Sequence, residues 1–208
     1  LGGEVRIPKL TQADGLNIEL DATGVIPIGQ LTRFDGGRIL VSNTNKAFSG
    51  LVEANDTDIE VVGGSGNFPA LKYIDGNSLL VSGGGVLSLP LVTTYSHGST
   101  GNNQQRVLQA KGASSRLELP NAQLISGGTH YNSRIFVNAL EGGVVDLSKV
   151  TQIADPSTGD LNFRSIDVSA NGTGSLVRLD ELSTYIDNYG SDLSNGMYST
   201  LSAKLGGE

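Results

Sequence analysis

The chain has 208 residues, with 29 Gly, no Cys, no Trp, one Met and a net charge of -7 at pH 7. An acidic chain without a Lys/Arg cluster offers phosphates no basic face, which argues against a nucleic-acid partner, and the absence of Cys excludes disulfides and thiolate metal sites. No apolar run approaches the roughly 20 residues of a membrane helix, so membrane insertion is not expected.

From the amino end onward the chain repeats. The units align on one apolar anchor each, Leu10, Leu31, Leu51, Leu71, Val92, Ala122, Val150 and Leu182, spaced 21, 20, 20 and 21 residues as far as Val92. Three residues before each anchor stand Ile7, Ile28, Phe48, Phe68, Leu89, Leu119, Leu147 and Leu179; three after it stand Ala13, Phe34, Ala54, Ile74, Tyr95, Ile125, Ile153 and Tyr185. The column five before the anchor runs Val5, Ile26, Lys46, Gly66, Leu87, Leu117, Val145 and Val177. These last residues and the column at minus three alternate with polar neighbours at period 2, the pattern of a half-buried strand. Pro8, Pro69, Pro90 and Pro120 share the position two before the anchor, which predicts a strand end or corner.

After the anchor comes a turn, Leu10 to Gly15, Leu31 to Gly36 and Leu71 to Gly76, in which Asp-Gly marks the corner. A second strand follows, as in Leu16 to Leu20, Ile39 to Val41, Ile59 to Val61, Leu79 to Val81, Ile135 to Val137 and Ile166 to Val168. About 20 residues leave no room for a helix beside these strands. The reading is therefore one all-β domain over 1–208, a right-handed parallel β-helix of about 20 to 21 residues per coil, rising about 4.8 Å per coil.

From Val92 the spacings grow to 30, 28 and 32 while the core columns persist, so the extra residues are loops. Residues 1–95 are thus regular coils and 96–208 decorated ones. The loops, Ser96 to Arg106, Gly127 to Arg134, Ala154 to Arg164 and Ile186 to Ser199, all follow the anchor turn and are expected to stack at one corner. His97, Asn102, Asn103, His130, Tyr131, Asn132, Tyr189 and Tyr198 give them the chemistry of an adaptable recognition surface for a protein or glycan.

Three clusters offer other chemistry. Glu118, Asp146 and Arg178, outward on consecutive coils, would suit acid/base work on a polysaccharide, whereas cross-coil charge pairing explains them more simply. Asp14, Asp35 and Asp75 stack carboxylates at the Asp-Gly corner, where Ca²⁺ or ordinary Asx-turn bonding would relieve repulsion. His97 and His130 fall short of the three or four ligands a zinc site wants. No catalytic residue and no cofactor is assigned from these.

The run with apolar, Pro, Leu-Thr, apolar and Asp-Gly positions resembles bacterial extracellular β-helix repeat proteins, including adhesin-like stalks, and is loosely similar to the receptor L-domain repeat. That resemblance implies a structural or adhesive protein at the cell surface and transfers no functional residue. Leu1-Gly2-Gly3-Glu4 and Leu205-Gly206-Gly207-Glu208 are identical and 204 residues apart, so end-to-end self-association, or continuation in tandem copies as a filament, is expected.

Overall fold

A computed structural model describes residues 2–98, 100–188 and 197–208. Among them there is no helix, hence none long and apolar enough to cross a membrane, and the strand pairings are all parallel. The strands form curled sheets, consistent with a parallel β-solenoid, in which each residue pairs with its equivalent one coil away.

Three ladders recur. The first lies two to four residues after each anchor, and pairs Gln12 with Arg33, Arg33 with Glu53 and Glu53 with Tyr73, then Thr94 with Leu124, Leu124 with Gln152 and Gln152 with Thr184. These partners reproduce the sequence spacings of the anchors, loops included. The second ladder runs through Ile18, Ile39, Ile59, Leu79, Leu108, Val137, Val168 and Leu201. The third runs through Lys46, Gly66, Leu87, Leu117, Val145 and Val177.

The segment after the anchor, read above as a turn, is therefore a short strand in its own right. Conversely, Arg38–Ala47 and Asp58–Asn67 each run ten residues through two ladders. Asn43, at φ 50°, and Gly63 and Gly64, at 67° and 70°, let the chain bend there without leaving the sheet, which joins the second and third ladders into twelve strands.

The inward columns fill the interior. Leu31, Leu51, Leu71, Val92, Ala122 and Val150 are buried at the anchor, as are Phe48, Phe68, Leu89, Leu119 and Leu147 three residues before it. Phe48 and Phe68 stack with centroids 4.7 Å apart and rings 8° from parallel. Gly66 makes space for them, because a Cβ there would press on Val61 and Phe68 at 3.0 and 3.1 Å.

The corner between the second and third ladders alternates in length. Bends ending in Gly85, Gly143 and Gly207 have one residue fewer than those ending in Ser115 and Ser175. Ser115 is fully buried; its hydroxyl donates to the Lys111 carbonyl at 2.7 Å and accepts from the Gly84 amide at 3.0 Å. Ser175 repeats this with the Asn171 carbonyl and the Gly142 amide, both at 2.9 Å. Each longer bend thus caps the shorter one beside it.

Candidate functional site

The insertions, residues 97–104, 127–133, 155–164 and 187–200, all lie between the first and second ladders. Residues 189–196, and with them Tyr189, fall outside the described residues. The loops are bonded to one another by main chain: Asn103 donates to the Tyr131 carbonyl at 2.8 Å, Asn132 to Asn162 at 3.0 Å, and Asp160 to Thr129 at 3.0 Å. Asn103, Asn132 and Phe163 occupy one column, each in the left-handed region at φ 60°, 54° and 57°. Asn suits that conformation and Phe does not, so Phe163 is held there at a cost of about 1–2 kcal/mol. The Asn132 amide donates to Asn103 Oδ1 at 3.0 Å, and Tyr131 meets Phe163 edge-on at 5.4 Å.

On the outer side of this ledge Asn102, Asn103 and Tyr198 are exposed, while His130, Tyr131 and Asn132 are half-buried. His97 departs from the expectation of an exposed ligand-binding histidine: it is fully buried. Its Nε2 donates to the Gln104 carbonyl at 3.0 Å, which leaves Nδ1 as an acceptor, and that atom has no partner among the described residues. Burial pushes its pKa down to about 4, so the ring is neutral at pH 7.

The reason lies at the base of the loops, where the first ladder continues by one residue. Asp56 donates to the Asp75 carbonyl, Gly76 to Ser96, His97 to Ser126, Gly127 to Ala154 and Asp155 to Ile186, all at 2.8 to 2.9 Å. One column therefore holds Asp56, Gly76, His97, Gly127, Asp155 and Asp187. Gly127 is a spacer, since a Cβ there would come within 2.8 Å of Asp155 Oδ1. Two arginines enter this column from the far side of the loops. Arg106 reaches Asp56 at 2.9 Å, and Arg164 reaches Asp155 at 2.7 Å with side-chain exposures of 1% and 2% for the latter pair. Arg164 also donates to the carbonyls of Gly128 and Thr158, each at 2.8 Å, and to that of Pro156. Burial pushes the Asp155 carboxyl up to about 6 against the pull of Arg164. All six buried side-chain polar atoms that lack a partner among the described residues belong to this corner: Asn77 Nδ2, His97 Nδ1, Arg106 Nε, Ser133 Oγ, Arg164 Nε and Asp187 Oδ1.

Glu118, Asp146 and Arg178 do stand in register on the outer face of the third ladder. Arg178 contacts Asp146 at 3.1 Å and also Asp180, while Glu118 is held by Arg116 at 2.7 Å. Burial pushes the Asp146 carboxyl up, but the Ser148 hydroxyl and amide, Arg178 and Arg116 outweigh it, and the group lies below its ordinary range. A carboxylate held this way stays ionised at neutral pH, the state of an ion pair rather than of a general acid. Asp146→Asn is expected to lose about 1–2 kcal/mol, read from the urea midpoint, because Arg178 and the Ser148 amide lose a charged partner.

In the aspartate column, Asp35 Oδ1 accepts from the Asn55 amide at 3.2 Å, Asn55 Oδ1 from Asp75 at 3.0 Å, and Asp75 Oδ1 from Ser96 at 3.1 Å. Each side chain thus bonds the main chain of the next coil, and Asp35 also pairs with Arg33. Asp14 lies beside Asp35 in the same register. Among the described residues no three His, Asp or Glu side chains come close enough to hold a metal ion.

No protein-family model, curated protein or solved structure matches the chain. Function therefore rests on the geometry itself. Arg106 and Arg164, which organise the ledge, entered the sequence reading only as loop boundaries, and Phe163 did not enter it. Aligning the residues that reopen the second ladder would have exposed Arg106, which shares a register with Ile135 and Ile166.

Proposed function

We propose that this chain is a structural or adhesive β-solenoid, a right-handed parallel β-helix of the cell surface or extracellular space, whose loop ledge holds a protein or glycan ligand. The observation that carries the reading is the cross-bonding of the loops. Excursions that serve no purpose need no mutual hydrogen bonds, no buried Arg164 and no strained Phe163, whereas a binding surface gains affinity from being ordered beforehand. Right-handedness follows from the sterics that make parallel crossover connections right-handed in nearly all proteins.

The exposed edge of the ledge offers amides, a half-buried aromatic pair and hydroxyls without a basic patch, a set suited to neutral sugar or peptide polar groups. Surface location accords with the Cys-free composition and the resemblance to surface stalks. The same reading extends to fibre assembly: Glu208 accepts from Val177 and so occupies the third-ladder position that Glu4 holds opposite Val25. A second copy, stacked or linked in tandem, would enter in phase.

The test is a glycan and surface-protein array probed with the intact chain and with Tyr131→Ala/Asn132→Ala. Retained binding without release of reducing ends, weakened at least ten-fold in the double variant, is the expected result. Equal binding by both chains would remove the ledge from the function, and product release lost in Glu118→Gln would replace it with an enzyme.

A further inference from the structure

The column beneath the ledge stacks two carboxylates, Asp155 and Asp187, of which Arg164 pairs with Asp155. Asp155 and Asp187 are neighbours on consecutive coils, bridged by the hydrogen bond from the Asp155 amide to the Ile186 carbonyl, and so stand about 4.8 Å apart along the rod. Arg164 is committed to Asp155 and to three main-chain carbonyls. Asp187 uses Oδ2 to accept from the Ser199 amide, at 2.5 Å, and leaves Oδ1 buried without a partner among the described residues.

Among the described residues, the other groups facing the pair do not restore the balance. From the coil below come Gly127, Gly128, Thr129 and the half-buried His130. From the coil above comes Asn188, whose amide donates to the Asp155 main-chain carbonyl at 2.6 Å. Beside Asp187 the Tyr185 hydroxyl donates to the Ile166 carbonyl, and burial and Asp167 hold its pKa above the ordinary range. Asp167 itself is paired with Arg134 at 2.9 Å on the outer side of the second ladder.

We propose that Asp155, Asp187 and Arg164 form a proton-operated lock on the ledge, which holds the 155–164 loop more tightly when the carboxylate pair carries a proton than when both members are charged. The raised Asp155 carboxyl supports this and sets the direction. A group with a folded pKa of about 6 and an ordinary value of 3.8 contributes stability that is complete below 3.8 and is lost as pH rises through about 6. His97 at the other end of the ledge has the opposite sign. With a folded pKa of about 4 against 6.5, its contribution is present above 6.5 and is lost as pH falls toward 4. Mild acid therefore tightens the 155–164 loop and loosens the 97–104 loop.

Hydrogen exchange on the intact chain, corrected for intrinsic rates, tests the lock. Protection of 155–164 is expected to be about ten-fold higher at pH 5 than at pH 7.5, while 97–104 changes in the reverse sense. Asp155→Asn is expected to abolish the pH dependence of 155–164 even where it lowers protection overall, and to leave that of 97–104 in place. The carbon-13 signal of the Asp155 carboxyl provides a second reading, with a midpoint near 6. A midpoint below 4, equal protection of 155–164 at both pH values, or a pH dependence that survives Asp155→Asn would overturn the proposal.

Discussion

Replacing Arg164 by Met is expected to cost about 3–5 kcal/mol at pH 7.5, the range seen when one partner of a buried ion pair is removed. Met keeps most of the length and apolar stem of Arg164 but none of its donors. The carbonyls of Gly128, Thr158 and Pro156 would then lose their donor, that of Gly128 in a buried position, and Asp155, 2% exposed, would lose its counter-ion. Asp155 is already near the point of taking up a proton, so the loss should be smaller at pH 5, where the carboxyl neutralises itself. Arg164→Lys keeps the charge without the planar fork and should recover only part of the stability. Asp155→Asn combined with Arg164→Met should be less unstable than the sum of the two single changes, since the double change removes both charges of the Arg164–Asp155 pair together. Urea unfolding of the unsubstituted chain and these four variants measures all of this; a loss of less than 1 kcal/mol in Arg164→Met would show that the loops fold without their central cation.

The second large effect is expected at the corner between the second and third ladders. Gly143 and Ser175 are equivalent positions on adjacent coils, yet Gly143→Ser should cost about 3 kcal/mol and Ser175→Gly only about 1 kcal/mol. At Gly143 a Cβ would overlap the Ala110 carbonyl of the coil beneath. That carbonyl cannot retreat, because Ala110 is paired with Val81 on one side and Ala139 on the other. At Ser175 the longer bend carries the side chain clear, and its removal loses only the bonds to Asn171 and Gly142. Thermal unfolding of both variants decides the matter, and the reverse order of severity would refute the alternation of bends.

Much of the fold was legible in the sequence because parallel strands that pair each residue with its equivalent one repeat away map chain position onto height. The anchors Leu31, Leu51 and Leu71 recur at the spacing that the ladder pairs adopt, and period 2 separates inward Leu117 and Val145 from outward Glu118 and Asp146. The register that brings Glu118, Asp146 and Arg178 together could be read for the same reason. Which partners each would choose could not, since Arg178 divides itself between Asp146 and Asp180 and Glu118 turns to Arg116.

The loop residues were legible as a group and not one by one. His97 and Asn103 have similar claims to a surface when only composition is known, yet His97 extends the first ladder inward and Asn103 sits in a left-handed turn outside. The sequence by itself determined the coil length, the core columns and the corner from which the loops leave, because these depend on local alternation and on a repeat that translates along one axis. Only the tertiary structure decided that the post-anchor turn is a ladder, that the bends alternate, and that Arg164 turns inward to Asp155 and to Gly128, 36 residues away. Those outcomes depend on what the neighbouring coil presents at the same height, and loop lengths that vary from coil to coil carry no period from which that could be read.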